Sequence, residues 1–152
     1  MHGDANWSRQ LTPTWSSLRS LAGWLGAATP LVRVMPNQPA TIGAGVSALA
    51  ASASVDTNGR QLAGYIAGTT GRALWLPDEA LMDAVTAVSG SGPAYFYLLM
   101  EHMERAATDL GLPPELAAAL TRETALGAAR VVIETKSEPG ALRTAVTSPG
   151  GT

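Results

Sequence analysis

The sequence predicts an α/β segment followed by an all-α segment. Three observations carry that expectation. Between residues 31 and 76, short apolar runs of strand character and one helically spaced run follow the order strand, strand, helix, strand. After Pro77 no further strand pattern occurs. From residue 114 to about residue 135, apolar or small residues fill nearly every face of a helix, which belongs in a core or a subunit interface.

The elements follow in order. Residues 1–17 are polar and irregular, with Pro13 and isolated Trp7 and Trp15, and read as a disordered leader. Leu18, Leu21, Trp24 and Leu25 have helical spacing, and Gly26 supplies a stop. Leu31-Val32-Arg33-Val34-Met35 is a short strand of buried type, halted by Pro36 and Pro39. Residues 45–51 are small and strand-like. Residues 58–68 carry helical spacing through Leu62, Tyr65 and Ile66, and residues 73–76 form a third strand.

A helix is expected over residues 78–88, followed by the turn Ser89-Gly90-Ser91-Gly92-Pro93, with Ser91 as N-cap of the next helix. That helix runs through Tyr95, Leu99, Met103, Ala106 and Leu110 and stops at Gly111 and Pro113. The apolar helix at 114–135 comes next, and residues 137–146 form a last short helix. No internal repeat is present.

Composition narrows the functional classes. Apolar residues make up 46% of 152, enough for a core in one domain or parts of two. Charged residues are only 14%, so part of the surface is expected to be covered by a partner or by missing chain. A net charge of −2 without a basic tract argues against a nucleic-acid ligand. The absence of cysteine removes disulfides, thiolate nucleophiles and Cys-ligated zinc, and fits a cytoplasmic protein. No apolar run is long enough to span a bilayer, and no secretory signal is evident.

The richest local signal is the terminal Ser148-Pro149-Gly150-Gly151-Thr152. Proline fixes one backbone angle, and the glycines let successive N–H groups turn inward, forming a trap for a carboxylate or phosphate. The glycines of Ser89–Pro93 sit beside a helix N-terminus, where free N–H groups favour an anion, although a plain helix–helix turn has the same letters. Gly43-Ala44-Gly45-Val46-Ser47-Ala48 spells a dinucleotide fingerprint in the wrong context, since prolines precede it and a strand-like run follows. Met35-Pro36-Asn37 follows a strand directly, the place where open α/β sheets gather ligands, so Asn37 could face a cofactor.

Asp78, Glu79 and Asp83 read as helix N-terminal charges. No carboxylate pair is arranged for acid/base work and no metal set is expected. Ser91 lacks the nucleophile-elbow context, because residue 89 is Ser, and neither His2 nor His102 completes a triad. Trp24 and Trp75 are expected in the core.

Three long stretches together resemble the pyrroline-5-carboxylate reductases. They are Val32–Pro39, Asp83–Tyr95 and Leu142–Thr152, in the right order over residues 18–152. The resemblance implies a Rossmann domain followed by a helical dimerisation domain. Residues 18–77 would close the Rossmann-like domain and residues 78–152 would form the dimerisation domain. It implies hydride transfer from NADPH or NADH to the ring C=N of 1-pyrroline-5-carboxylate, giving L-proline, in a homodimer or larger homo-oligomer.

On that template Ser148, Pro149, Gly150, Gly151 and Thr152 receive the substrate carboxylate. Ser89, Gly90, Ser91 and Gly92 lie beneath the nicotinamide and substrate. Met35, Pro36 and Asn37 form a cofactor-side loop, and Glu79 stands where the family has an acidic residue near the cofactor. The protein supplies orientation and electrostatics to chemistry that is the cofactor's own. No residue present is an obvious proton donor.

The departures from the family are a missing first βαβ unit with its Gly-rich pyrophosphate loop, an unmatched residue 1–17 segment, and an end one residue before a second hydroxyl. The expectation is therefore a chain truncated at both ends that binds NADPH poorly and is inactive alone. The alternative is a non-catalytic module that pairs with a full-length reductase subunit through its apolar helix.

Overall fold

The structure, a computed structural model, describes residues 16–148. It divides into two compact units, one ending at Tyr95 and the other beginning at Phe96.

The first unit opens with α1 (Leu18–Leu25). Ser17 in extended conformation caps it by accepting the Ser20 N–H at 3.1 Å, and Gly26 at φ 98° ends it. Strand β1 (Val32–Met35) is followed by a 3₁₀ turn (Gln38–Ile42), β2 (Gly45–Ala51), α2 (Thr57–Gly68) and β3 (Gly71–Trp75). The expected α/β elements are all present, with bounds shifted by one or two residues.

The sheet has the order β1-β2-β3 and is mixed. Strands β1 and β2 run antiparallel, Met35 opposite Ala48, because the connection between them is too short for a crossover. Strands β2 and β3 run parallel, Leu49 opposite Trp75, with α2 as the crossover. Asp56 caps α2 by accepting the Gly59 N–H at 2.7 Å.

The glycines of the fingerprint-like run serve this sheet. Gly43 takes φ 74° to close the 3₁₀ turn, and a Cβ on Gly45 would lie 2.7 Å from Ala40. A strand follows them where a nucleotide loop requires a helix.

The core lies around β2. Met35, Ala48, Ala50 and Met82 cluster, with Leu18, Leu76 and Val85 packed against them, while Leu49 alternates to the other face and is fully buried. The tryptophans depart from expectation. Trp24 is 58% exposed on α1, and Trp75 is half-buried with the Arg60 guanidinium 5.0 Å above its ring.

The expected helix over 78–88 is corrected. The chain forms a 3₁₀ turn (Glu79–Leu81), a four-residue α3 (Met82–Val85) and a π-helical turn (Thr86–Gly90). The Thr86 hydroxyl donates to the Met82 carbonyl at 2.9 Å and the Ser89 hydroxyl to the Val85 carbonyl at 3.2 Å. Such back-bonding competes with the regular ladder and loosens it. Ser91 is not an extended N-cap either. It has helical angles (φ −84°, ψ −21°), and its N–H donates to the Thr86 carbonyl at 2.8 Å. No separate tight turn intervenes before α4 (Gly92–Asp109).

In the second unit α4 continues, α5 (Pro114–Thr135) has the bounds its proline start and residue pattern foretold, and α6 (Pro139–Val146) follows. Arg122 Nε donates to Glu104 Oε1 at 3.1 Å, tying α5 to α4. Of the described residues in this unit only Ala117 and Thr121 are buried. No helix among the described residues is long and apolar enough to cross a membrane.

Candidate functional site

The first unit places most of the expected site residues at two spots. The first spot is the carboxyl end of β1. The apolar run Val32–Met35 drives the strand into the sheet, and Pro36 cannot extend the ladder, so the chain turns out at Asn37. The Asn37 side-chain oxygen accepts the Val46 N–H at 2.9 Å. This bond pins the loop to the start of β2 and leaves the carboxamide NH₂ as the group to donate outward. Pro36 is exposed. Met35 is not an outward-facing residue: its side chain is 7% exposed and lies in the core.

The π-helical turn comes to the same end of β1. A Cβ on Gly90 would sit 2.7 Å from the Met35 methyl carbon, so any side chain at residue 90 would have to push the end of Met35 aside. Ser89 and Gly90 are partly buried, Gly92 is buried, and Ser91 is exposed. The structure thus brings one expected cofactor-side residue, Met35, and one expected substrate-side residue, Gly90, into direct contact.

The expected row of free N–H groups is reduced here. The Ser91 N–H is engaged by Thr86, and the Ala94 N–H donates to the Ser91 carbonyl at 3.0 Å.

The second spot is built on Glu79. Its Oε1 accepts both the Leu18 N–H at 2.8 Å and Arg33 Nη1 at 2.9 Å. One carboxylate oxygen therefore fastens the start of α1 and the middle of β1 to the 3₁₀ turn. The pair is well shielded, with Arg33 10% and Glu79 24% exposed at the side chain. A cleft of about 480 Å³ opens here, lined by Ser17, Arg19, Arg33, Asp78, Glu79, Ala80 and Asp83. Glu79 is the only expected site residue in that lining.

Sequence reasoning missed Arg33. The available signal was a cation between Val32 and Val34 in an apolar strand, which needs a carboxylate from elsewhere. Nothing local pointed to Glu79, 46 residues away.

Ser148 is exposed and belongs to the second unit. Pro149, Gly150, Gly151 and Thr152 lie outside the described residues, and with them most of the expected carboxylate trap. No cluster of His, Asp or Glu among the described residues could hold a metal ion.

A dinucleotide fits the described residues at one end only. The Asn37 carboxamide at a strand terminus suits a polar contact with a cofactor. The Glu79 Oε1 is already committed twice. No glycine-rich strand-to-helix loop for a pyrophosphate occurs among the described residues, since Gly43 and Gly45 serve the sheet.

Comparison with known proteins supplies the wider frame. The model of pyrroline-5-carboxylate reductase dimerisation matches residues 79–152. A pyrroline-5-carboxylate reductase of Pseudomonas aeruginosa is 53% identical over 133 residues, covering 88% of this chain and 49% of the relative. One from Glycine max is 39% identical over 137 residues, covering 90% and 49%.

Among solved structures, a pyrroline-5-carboxylate reductase from Coxiella burnetii superposes with a TM-score of 0.84 at 43% identity, over 90% of this chain and 50% of that one. The Plasmodium falciparum enzyme with NADP bound gives 0.81 at 30% identity, over 89% and 54%. The chain spans about half the length of the relatives it matches.

Proposed function

Because the chain belongs to the pyrroline-5-carboxylate reductase family, we propose that it supplies the substrate-side turn and the dimer-forming helices of a cytoplasmic NAD(P)H-dependent reductase that converts 1-pyrroline-5-carboxylate to L-proline. The observation that carries this reading is the seating of Gly90 on Met35. It sets the Ser89–Gly92 backbone beside the Asn37 end of β1, so two of the three matching stretches meet. The chemistry a nicotinamide supplies when bound is a hydride for the ring C=N carbon, with a proton completing the ring nitrogen.

The chain's own residues bind and orient. Asn37 offers its NH₂ at the cofactor side. Ser89, Gly90, Ser91 and Gly92 form a floor on which a flat five-membered ring can rest, with open space where a Gly92 Cβ would be. Ser148, Pro149, Gly150, Gly151 and Thr152 receive the carboxylate. Glu79 orders the cofactor-side framework through Arg33 and α1.

The test is an amide-resolved titration of the full 152-residue chain with L-proline, beside an assay of 1-pyrroline-5-carboxylate-dependent NADPH oxidation. The expected result is a saturable shift at the Ser89, Ser91 and Gly92 amides, with oxidation absent or weak because no described residue cradles a pyrophosphate. No response of those amides to L-proline overturns the proposal.

A second reading, pairing with a full-length reductase subunit, is favoured by the exposed apolar residues of α4 and α5, Leu99, Leu120 and Val131 among them. Co-expression with the Pseudomonas aeruginosa enzyme and size exclusion test it. Separate elution removes it.

A further inference from the structure

Met35 has no outward role, yet it touches the most unusual piece of backbone in the first unit. It closes β1 opposite Ala48, packs with Met82 beneath it, and rests its methyl where a Gly90 Cβ would be, 2.7 Å away. Gly90 is the last residue of the π turn, and the next N–H, that of Ser91, makes the wide-turn bond to Thr86. A π turn holds one residue more than the α register needs, slack that ordinary packing would squeeze out. The Thr86 and Ser89 hydroxyls hold the turn open from inside. Outside, the surface it rests on is the Met35 methyl. Two residues further along, Asn37 is fixed to β2 through Val46.

We propose that Met35 is a positioning residue: its methyl, seated on Gly90, sets the distance between the Ser89–Gly92 turn and the Asn37 end of β1. The proposal rests on the reading above for the roles of those two segments, and on packing alone for the contact. Thioether side chains are pliable, so the spacing is adjustable by small changes at either residue.

The experiment is a double-mutant cycle on the full chain, read at the Ser91 amide and by L-proline affinity. Gly90→Ala should fold, because the atom it meets is the far end of a flexible side chain. Met35→Ala removes the support. Each should displace the Ser91 amide signal and weaken L-proline binding about fivefold.

In the double variant, the methyl added by Gly90→Ala takes the space that Met35→Ala vacates. It should return both readouts most of the way to wild type, and Met35→Leu should rescue similarly. Additive effects at Ser91, or lower stability with an unmoved Ser91 amide, overturn the proposal. Coupled amide shifts with unchanged L-proline affinity overturn its positioning part. If wild type ignores L-proline, the functional reading falls instead, and the amide cycle alone decides whether Met35 supports the turn.

Discussion

The two units solve the burial problem in opposite ways. Up to Tyr95 the chain makes its own interior: Leu49, Met82, Met35, Ala48 and Ala50 are buried, and three elements start at a side-chain cap, on Ser17, Asp56 and Asp78. From Phe96 onward only Ala117 and Thr121 among the described residues are buried, while Phe96, Leu99, Leu120, Leu126 and Ile133 stand exposed. Neither Pro113 before α5 nor Glu138 before α6 makes a side-chain cap bond. The first unit has a core of its own, although Ile42, Tyr65 and Val88 also stand exposed on it. A unit of weakly capped helices with open apolar faces takes its stability from whatever covers them.

The largest expected effect comes from spoiling that cover. Leu116, Leu120 and Val131 share one face of α5. On the proposed dimer-forming role of α5, Leu120→Asp would put an unpaired charge into the contact with a second copy, at a cost of roughly 3 kcal/mol per site. The self-association constant should fall by about a hundredfold or more in sedimentation experiments. A wild-type chain that is monomeric at high concentration, with its second unit still helical, breaks the contrast.

Next in size is Leu49→Ala. A fully buried leucine lost from the centre of β2 costs about 2–5 kcal/mol. The chain offers two separate probes. The described Trp24 and Trp75 lie in the first unit and no tryptophan lies in the second, so tryptophan fluorescence does not report on the second unit. Most of the α-helical residues, the 22 of α5 among them, lie in the second. Leu49→Ala should lower the urea midpoint by fluorescence while the part of the helical signal that comes from the second unit moves little. Coincident shifts would show one cooperative body.

The same contrast explains what the sequence made legible. Residues 45–51 are mostly small and apolar, and a mostly buried strand formed there. Pro113-Pro114 and the three apolar stretches that follow marked α5 with approximate bounds that the helix matches. These signals are local and repeat along the chain. The π turn is different. Its residues have helical character, and only the competition of the Thr86 and Ser89 hydroxyls with the ladder, together with the room at Gly90, widens it.

The direction of β1 against β2 was implicit in a connection of nine residues, 36–44, which is too short to cross over. Arg33 announced a need for a partner without naming Glu79, and Asn37 announced a turn without naming Val46. Pairings between distant residues depend on the folded topology, which a one-dimensional pattern does not carry. The terminal Gly-Gly run was the clearest chemical motif of all, and Pro149–Thr152 lie outside the described residues.

The smallest effect concerns the end of α5, and it sharpens the contrast from the second unit's side. Lys136 is the one non-glycine among the described residues with positive φ, at 55° with ψ 24°. A helix usually gives this position to glycine, because a Cβ there crowds the following carbonyl oxygen at a cost of roughly 1 kcal/mol. Lys136→Gly relieves that crowding, but it frees the unfolded chain and removes a cation that suits the negative end of the helix, worth about 0.3–1 kcal/mol.

The terms nearly cancel, and a net change of at most about 0.5 kcal/mol is expected, or a shift of no more than roughly 2–4 °C in the helical melting midpoint. Lys136→Asn separates the terms, since asparagine tolerates the left-handed conformation without adding glycine's freedom. If both variants raise the helical midpoint and leave the fluorescence transition still, local strain is stored where the cover is missing. If neither moves it, the left-handed residue costs the second unit nothing, and the weakness of its helix ends lies in the absent caps alone.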